Sequence, residues 1–164
     1  MWNHESDGSG ISLHDQVIDK IVTDGTNVKF IFEYGFEVHS PDTDIVRITT
    51  ESQILFEGFQ FLKCELSPRT TLQAEFREEL KSIKPLLELD GIEVLDLDFQ
   101  PEKNQYVLTG FTVCNCKTDG EAFLMLTFSC SKAVFYWNGY TLVTRNTKDF
   151  ENIVGLQQVN WVDG

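Results

Sequence analysis

The stretch GISLHDQVIDKI, Gly10 to Ile21, sets His14 beside Asp15 and places Asp19 four residues on. Imidazole and carboxylate together can ligate a metal, act as a general base with its orienting partner, or satisfy backbone groups at a strand end. His14, Asp15 and Asp19 are therefore the residues on which an enzyme would rest. Their spacing argues against convergence. Neighbours on a strand face opposite sides of the sheet, so His14 and Asp15 cannot enter one pocket unless a bulge or turn intervenes. Ile11, Leu13 and Val17 share one alternating phase. Asp15 would lie buried on that face and need a partner. His14 is in phase with Ile18. The alternation breaks at His14–Gln16, which predicts a bend whose polar groups bond to backbone or to a neighbouring strand.

Other chemistries find less support. His4 and His39 could join His14 as a three-histidine metal site, but nothing in their spacing favours it. PDTD (Pro41 to Asp44) and DLD (Asp96 to Asp98) lack the glycine and closing glutamate of a calcium loop. The cysteines are Cys64, Cys114, Cys116 and Cys130. Cys114 and Cys116 would share a strand face, yet no second C-x-C or C-x-x-C completes a zinc set. Reduced, metal-free thiols are expected. No phosphate-cradling glycine loop, nucleophile elbow or HExxH is present. The expectation is a protein without cofactor and without catalysis.

Aromatic residues offer binding chemistry instead. Trp2, Tyr136, Trp137 and Tyr140 are candidate anchors for a partner, the last three flanking Asn138-Gly139. Core and cross-strand packing compete for the same side chains.

The elements that must position these groups read mainly as strands. Val28, Phe30, Phe32 and Tyr34 alternate with Lys29, Ile31 and Glu33, and Asp24-Gly25 supplies a turn before them. DIVRITTESQILFEGFQFL continues as strand with a turn at Glu57-Gly58. AVFYWNGYTLVT predicts a hairpin closed by Asn138-Gly139. Leu72, Phe76, Leu80, Ile83 and Leu87 step at helical spacing, so a helix of about three turns is expected over Thr71 to Lys84, ending at Pro85. A shorter helical turn is expected in TKDFENIVGL, Thr147 to Leu156.

Gly35-Phe-x-Val and Gly110-Phe-x-Val open two similar stretches that end in turns at Gly58 and Gly139. They suggest an internal duplication, with units about 11–84 and 90–160, against the alternative of two unrelated meanders. The fold class expected is mainly β (α+β): an antiparallel β-sandwich or barrel in one domain spanning 1–164, with one helix between the halves.

The chain has 164 residues and a formal charge of −13, which repels nucleic-acid phosphates and anionic membranes. The charge suits either a basic protein partner or plain solubility. No apolar run approaches a transmembrane length, and MWNHESDGSG lacks the features of a signal peptide, so the expected location is cytoplasmic.

The opening W-x-H…D-G-x-G-x-x-L-H-D-x-x-I, followed by an aromatic strand ending YGF, resembles an uncharacterised family of small bacterial cytosolic proteins. Gln16 stands where that family carries Cys. The resemblance covers roughly the first forty residues and implies no activity. In composition the chain also resembles immunity proteins that neutralise secreted bacterial toxins. The expected function is a non-catalytic, immunity-like binding protein that masks a basic protein partner. A small-molecule or carbohydrate-binding β domain is the alternative, and an enzyme using His14, Asp15 and Asp19 is the third reading.

Overall fold

Val28, Phe30 and Phe32 are buried while Lys29 between them is exposed, and Ile54 and Phe56 repeat the pattern one strand away. This period of two builds the first of the three sheets that the described residues form. The structure, a computed structural model, describes residues 1–68, 77–114, 120–144 and 157–160. The first sheet runs in the order β1 (His4–Ser6), β14 (Lys132–Trp137), β8 (Ser52–Glu57), β5 (Val28–Phe32), β4 (Lys20–Thr23). The second runs β10 (Glu78–Leu80), β9 (Gln60–Pro68), β13 (Gly120–Ser129), β12 (Gln105–Cys114), β11 (Ile92–Gln100), β3 (Val17–Ile18). The third runs β16 (Gln157–Asn160), β15 (Tyr140–Thr144), β7 (Val46–Thr49), β6 (Glu37–His39), β2 (Ile11–Ser12). The fold is mainly antiparallel β; β15 and β16 pair in parallel.

Aromatic rings join the sheets. Phe30 and Phe56 from the first sheet meet Phe128 from the second at centroid distances of 6.1 and 4.9 Å, in edge-to-face contacts. Phe36, just before β6, packs on Phe32, Phe135 and Trp137 and ties the third sheet to the same core. Each ring of this kind contributes roughly 1.5–3 kcal/mol relative to an exposed one. The chain changes sheet at sharp corners. Between β7 and β8, buried Thr49 and Ser52 share a hydroxyl hydrogen bond of 2.6 Å. Ser52 Oγ donates to Thr50 O, and Phe36 N–H donates to Thr49 Oγ1. At the β3–β4 corner, Asp19 N–H donates to Ile31 O, and Asp19 Oδ2 accepts the Glu33 amide at 2.7 Å.

Several expectations are corrected here. The stretch with helical spacing contains no α-helix in its described part. Glu78–Leu80 is a strand whose Leu80 pairs with Cys64 of β9, and Lys84–Glu88 is a 3₁₀ turn with Pro85 in its first turn. Pairing with the edge of β9 buries Leu80, and Leu86 is buried from the 3₁₀ turn, so tertiary contacts override the local period. Residues 69–76 and the second expected helical turn lie outside the described residues. Asn138-Gly139 does not close a hairpin: β14 pairs with β8 and β1, whereas β15 pairs with β7 and β16, so the dipeptide passes the chain between sheets. The two Gly-Phe-x-Val stretches also differ. Gly35 lies in the turn after β5 with φ +76, whereas Gly110 lies within β12 opposite Val94 and Leu124. Gly58 leads from the first sheet to the second and Gly139 from the first to the third, so the proposed repeat has no matching topology. Tyr34 falls beyond β5 and is exposed.

Candidate functional site

Leu13–Gln16 is a β-turn closed by Gln16 N–H donating to Leu13 O at 2.9 Å. Its third residue, Asp15, has φ +62, the left-handed conformation that a type II turn requires at that place. The apolar phase changes across the turn: Leu13 is buried before it, Val17 is exposed after it, and Ile18 is buried. Three bonds dock the turn on β11. Asp15 N–H donates to Val94 O, Val94 N–H donates to Gln16 O, and His14 Nδ1 lies 2.7 Å from Leu95 O. The β11–β12 register steps from Val94↔Gly110 to Asp96↔Thr109, so Leu95 is the extra residue of a β-bulge. A carbonyl only accepts, so His14 Nδ1 carries a proton, and Nε2 lies 3.5 Å from Asp15 Oδ1. The bond to Leu95, helped by the Asp15 carboxylate and more distantly by Asp96 and Glu37, holds the His14 pKa above its ordinary value of 6.5.

This geometry keeps His14 beside Asp15 and sets Asp19 apart. His14 and Asp15 are neighbours with side chains 62% and 68% exposed, so Asp15 is not the buried carboxylate its phase implied. The Asp19 carboxylate is engaged at the β3–β4 corner. The histidines also stand apart: His4 stacks on Trp137 at 5.3 Å, and His39 faces Glu37. Among the described residues no three His, Cys, Asp or Glu side chains gather as a metal cage. Cys116 lies outside the described residues.

The aromatic candidates divide. Trp137 is buried beneath His4 and packs on Phe36, so its place as a surface anchor is corrected to one in the core. Its indole N–H finds no acceptor among the described residues. Trp2 stacks on Tyr136 at 6.2 Å, and the Arg47 guanidinium lies 5.3 Å from the Tyr140 ring centre. These three rings remain partly exposed.

A cleft of about 320 Å³ opens beside the His14 turn. One wall is the segment from Asp7 to His14, and the other is the β11–β12 hairpin with Asp96, Leu97, Phe99 and Tyr106; Phe135 of β14 also lines it. Phe99 and Tyr106 are cross-strand partners with rings 4.8 Å apart, and the far face of Tyr106 stacks on Phe128. Burial raises the Tyr106 pKa, with Cys130 and Asp7 adding to it, so Asp7 lies within electrostatic reach of that ring. Asp7 is held below the usual carboxylate range by hydrogen bonds from Ser9, including its N–H at 2.9 Å.

Of the lining residues, sequence reasoning kept only His14 as a site residue and set Asp96 aside with the DLD stretch. A signal for the others was present: Leu97 and Phe99 alternate into a Pro101–Asn104 turn, and Tyr106 and Leu108 alternate out of it. No protein-family model, curated protein or solved structure matches the chain. No helix among the described residues is long and apolar enough to cross a membrane.

Proposed function

We propose that the protein is a non-catalytic binding protein and that a small molecule occupies the cleft beside the His14 turn. The cleft lining carries this reading. Leu97, Phe99, Tyr106 and Phe135 give an apolar, aromatic surface, and Asp7, Ser12, His14 and Asp96 supply a few polar groups. A volume of about 320 Å³ falls within the roughly 300–1,000 Å³ of ligand pockets. Catalysis is the poorer reading, because the Glu33 amide takes the Asp19 carboxylate away from His14 and the His14 and Asp15 side chains are both more than half exposed. Equilibrium dialysis against a small-molecule extract of the host, followed by mass spectrometry, should identify a retained compound that raises Tm. Leu97→Trp, which fills the cleft, should remove that rise while leaving the circular dichroism spectrum unchanged. A rise that survives the filling would place the ligand elsewhere and overturn the reading.

The charge of −13 favours a second reading, the masking of a basic protein partner in the manner of a cytoplasmic immunity protein. Trp2, Tyr136 and Tyr140 would be its aromatic contacts. Association with such a partner should slow steeply with added salt. A salt-independent association rate would count against it.

A further inference from the structure

The cleft has a chemical bias that its size alone does not convey. Two carboxylates, Asp7 and Asp96, line it, and among the described residues no lysine or arginine does. Asp7 stays ionised under its bonds from Ser9. Phe99 is 45% exposed although it sits on an otherwise well-paired hairpin, and its ring adjoins that of Tyr106. A ring face carries partial negative charge, and a nearby carboxylate adds a full one. Together they attract a cation that brings apolar surface with it. An anion would meet two carboxylates inside a chain of charge −13. A neutral ligand would gain the stacking and leave the carboxylates unused.

We infer that the cleft selects an organic cation, a protonated amine or quaternary ammonium carried on an aromatic or branched apolar group, which Asp7 and Asp96 hold by charge while Phe99 and Tyr106 pack against the apolar part. The inference rests on the reading of the cleft as a ligand site. His14 also lines the cleft, and its imidazole lies within electrostatic reach of Asp96, so the ligand's positive charge belongs toward Asp7.

Three probes of one shape test it: phenethylammonium, 2-phenylethanol and phenylacetate, each titrated into the ¹⁵N-labelled full chain by NMR. Phenethylammonium should shift the amides of Gly8, Leu97 and Tyr106 and bind about tenfold more tightly than 2-phenylethanol, the increment that ring and carboxylate attraction supply. Phenylacetate should bind most weakly. The Asp7→Asn/Asp96→Asn double variant alters two exposed side chains. It should reduce the preference for the amine several-fold and leave 2-phenylethanol binding unchanged. If 2-phenylethanol or phenylacetate binds the cleft as tightly as the amine, or if the double variant keeps the preference, the cation inference fails and the cleft remains a ligand site. If no probe shifts those amides, both fail.

Discussion

His14 Nδ1 and the carbonyl oxygen of Leu95 meet at 2.7 Å across 81 positions of sequence, and Leu95 is the bulged residue of its strand. The N-terminal turn and the β11 bulge are therefore one unit. The bulge takes Leu95 out of the ladder with β12, and the turn supplies its carbonyl with a donor. One wall of the cleft is thereby fixed against the other.

The first prediction follows from that bond. The folded chain raises the His14 pKa above 6.5, first through the Leu95 carbonyl and then through Asp15. A group that binds its proton more tightly when folded stabilises the fold when protonated. The contribution is complete below pH 6.5 and is lost as pH rises through the higher folded-state value. The Tm difference between the parent chain and His14→Gln should be largest on the acidic side and shrink as pH rises. A constant difference would show that His14 does not titrate in this way.

Asp15 tests the turn itself. Its φ of +62 suits glycine and penalises a Cβ-branched side chain. Asp15→Gly should unfold at the same urea concentration as the parent or a higher one. Asp15→Val should lose about 1–2 kcal/mol. Equal midpoints for the two variants would contradict the left-handed geometry.

Gly35 and Gly25 form a matched pair. Both have positive φ, but a Cβ at Gly25 meets open space, whereas one at Gly35 would overlap the Thr49 and Thr50 carbonyl oxygens and Thr49 Oγ1. Gly25→Ala should cost about 1 kcal/mol from backbone strain alone. Gly35→Ala adds a clash with the buried Thr49–Ser52 corner and should cost about 2–5 kcal/mol. Denaturant titration of the two variants compares them directly.

Trp137→Ala should act on stability. Trp137 lies under His4 and against Phe36, and removing so large a buried ring costs about 3–5 kcal/mol. A Tm within a degree of the parent would mean that the ring is not in the core.

The strands were legible wherever one face is buried and the other wet. Val28, Phe30 and Phe32 show this, as does the loss of phase at His14–Gln16, because alternation is a property of the chain itself. The partners of those strands were not. Asn138-Gly139 carries the residues of a hairpin turn, yet β14 and β15 go to different sheets because Trp137 and Tyr140 meet different neighbours. Leu80 sits at helical spacing, yet the open edge of β9 makes it a strand residue. Asp7, Asp96 and Phe99 line one cleft only because the His14 turn docks on a bulge; the slip of the apolar phase from Ile92 and Val94 to Leu95, Leu97 and Phe99 marks that bulge but not what docks on it.

The arm Met1–Ser6 is held at its root by Asn3, whose N–H donates to Asn138 Oδ1 and whose side chain donates to Asn138 O, across 135 positions. Its strand, β1, pairs with β14 at the edge of the first sheet. During translation these residues emerge long before the strand they bind. At roughly 5–20 residues per second the delay is on the order of ten seconds. Throughout that interval Trp2 and His4 have neither Tyr136 nor Trp137 to stack on. A nascent chain stalled before β14 would display an unpaired aromatic arm, so docking of the arm reports that synthesis has passed Asn138.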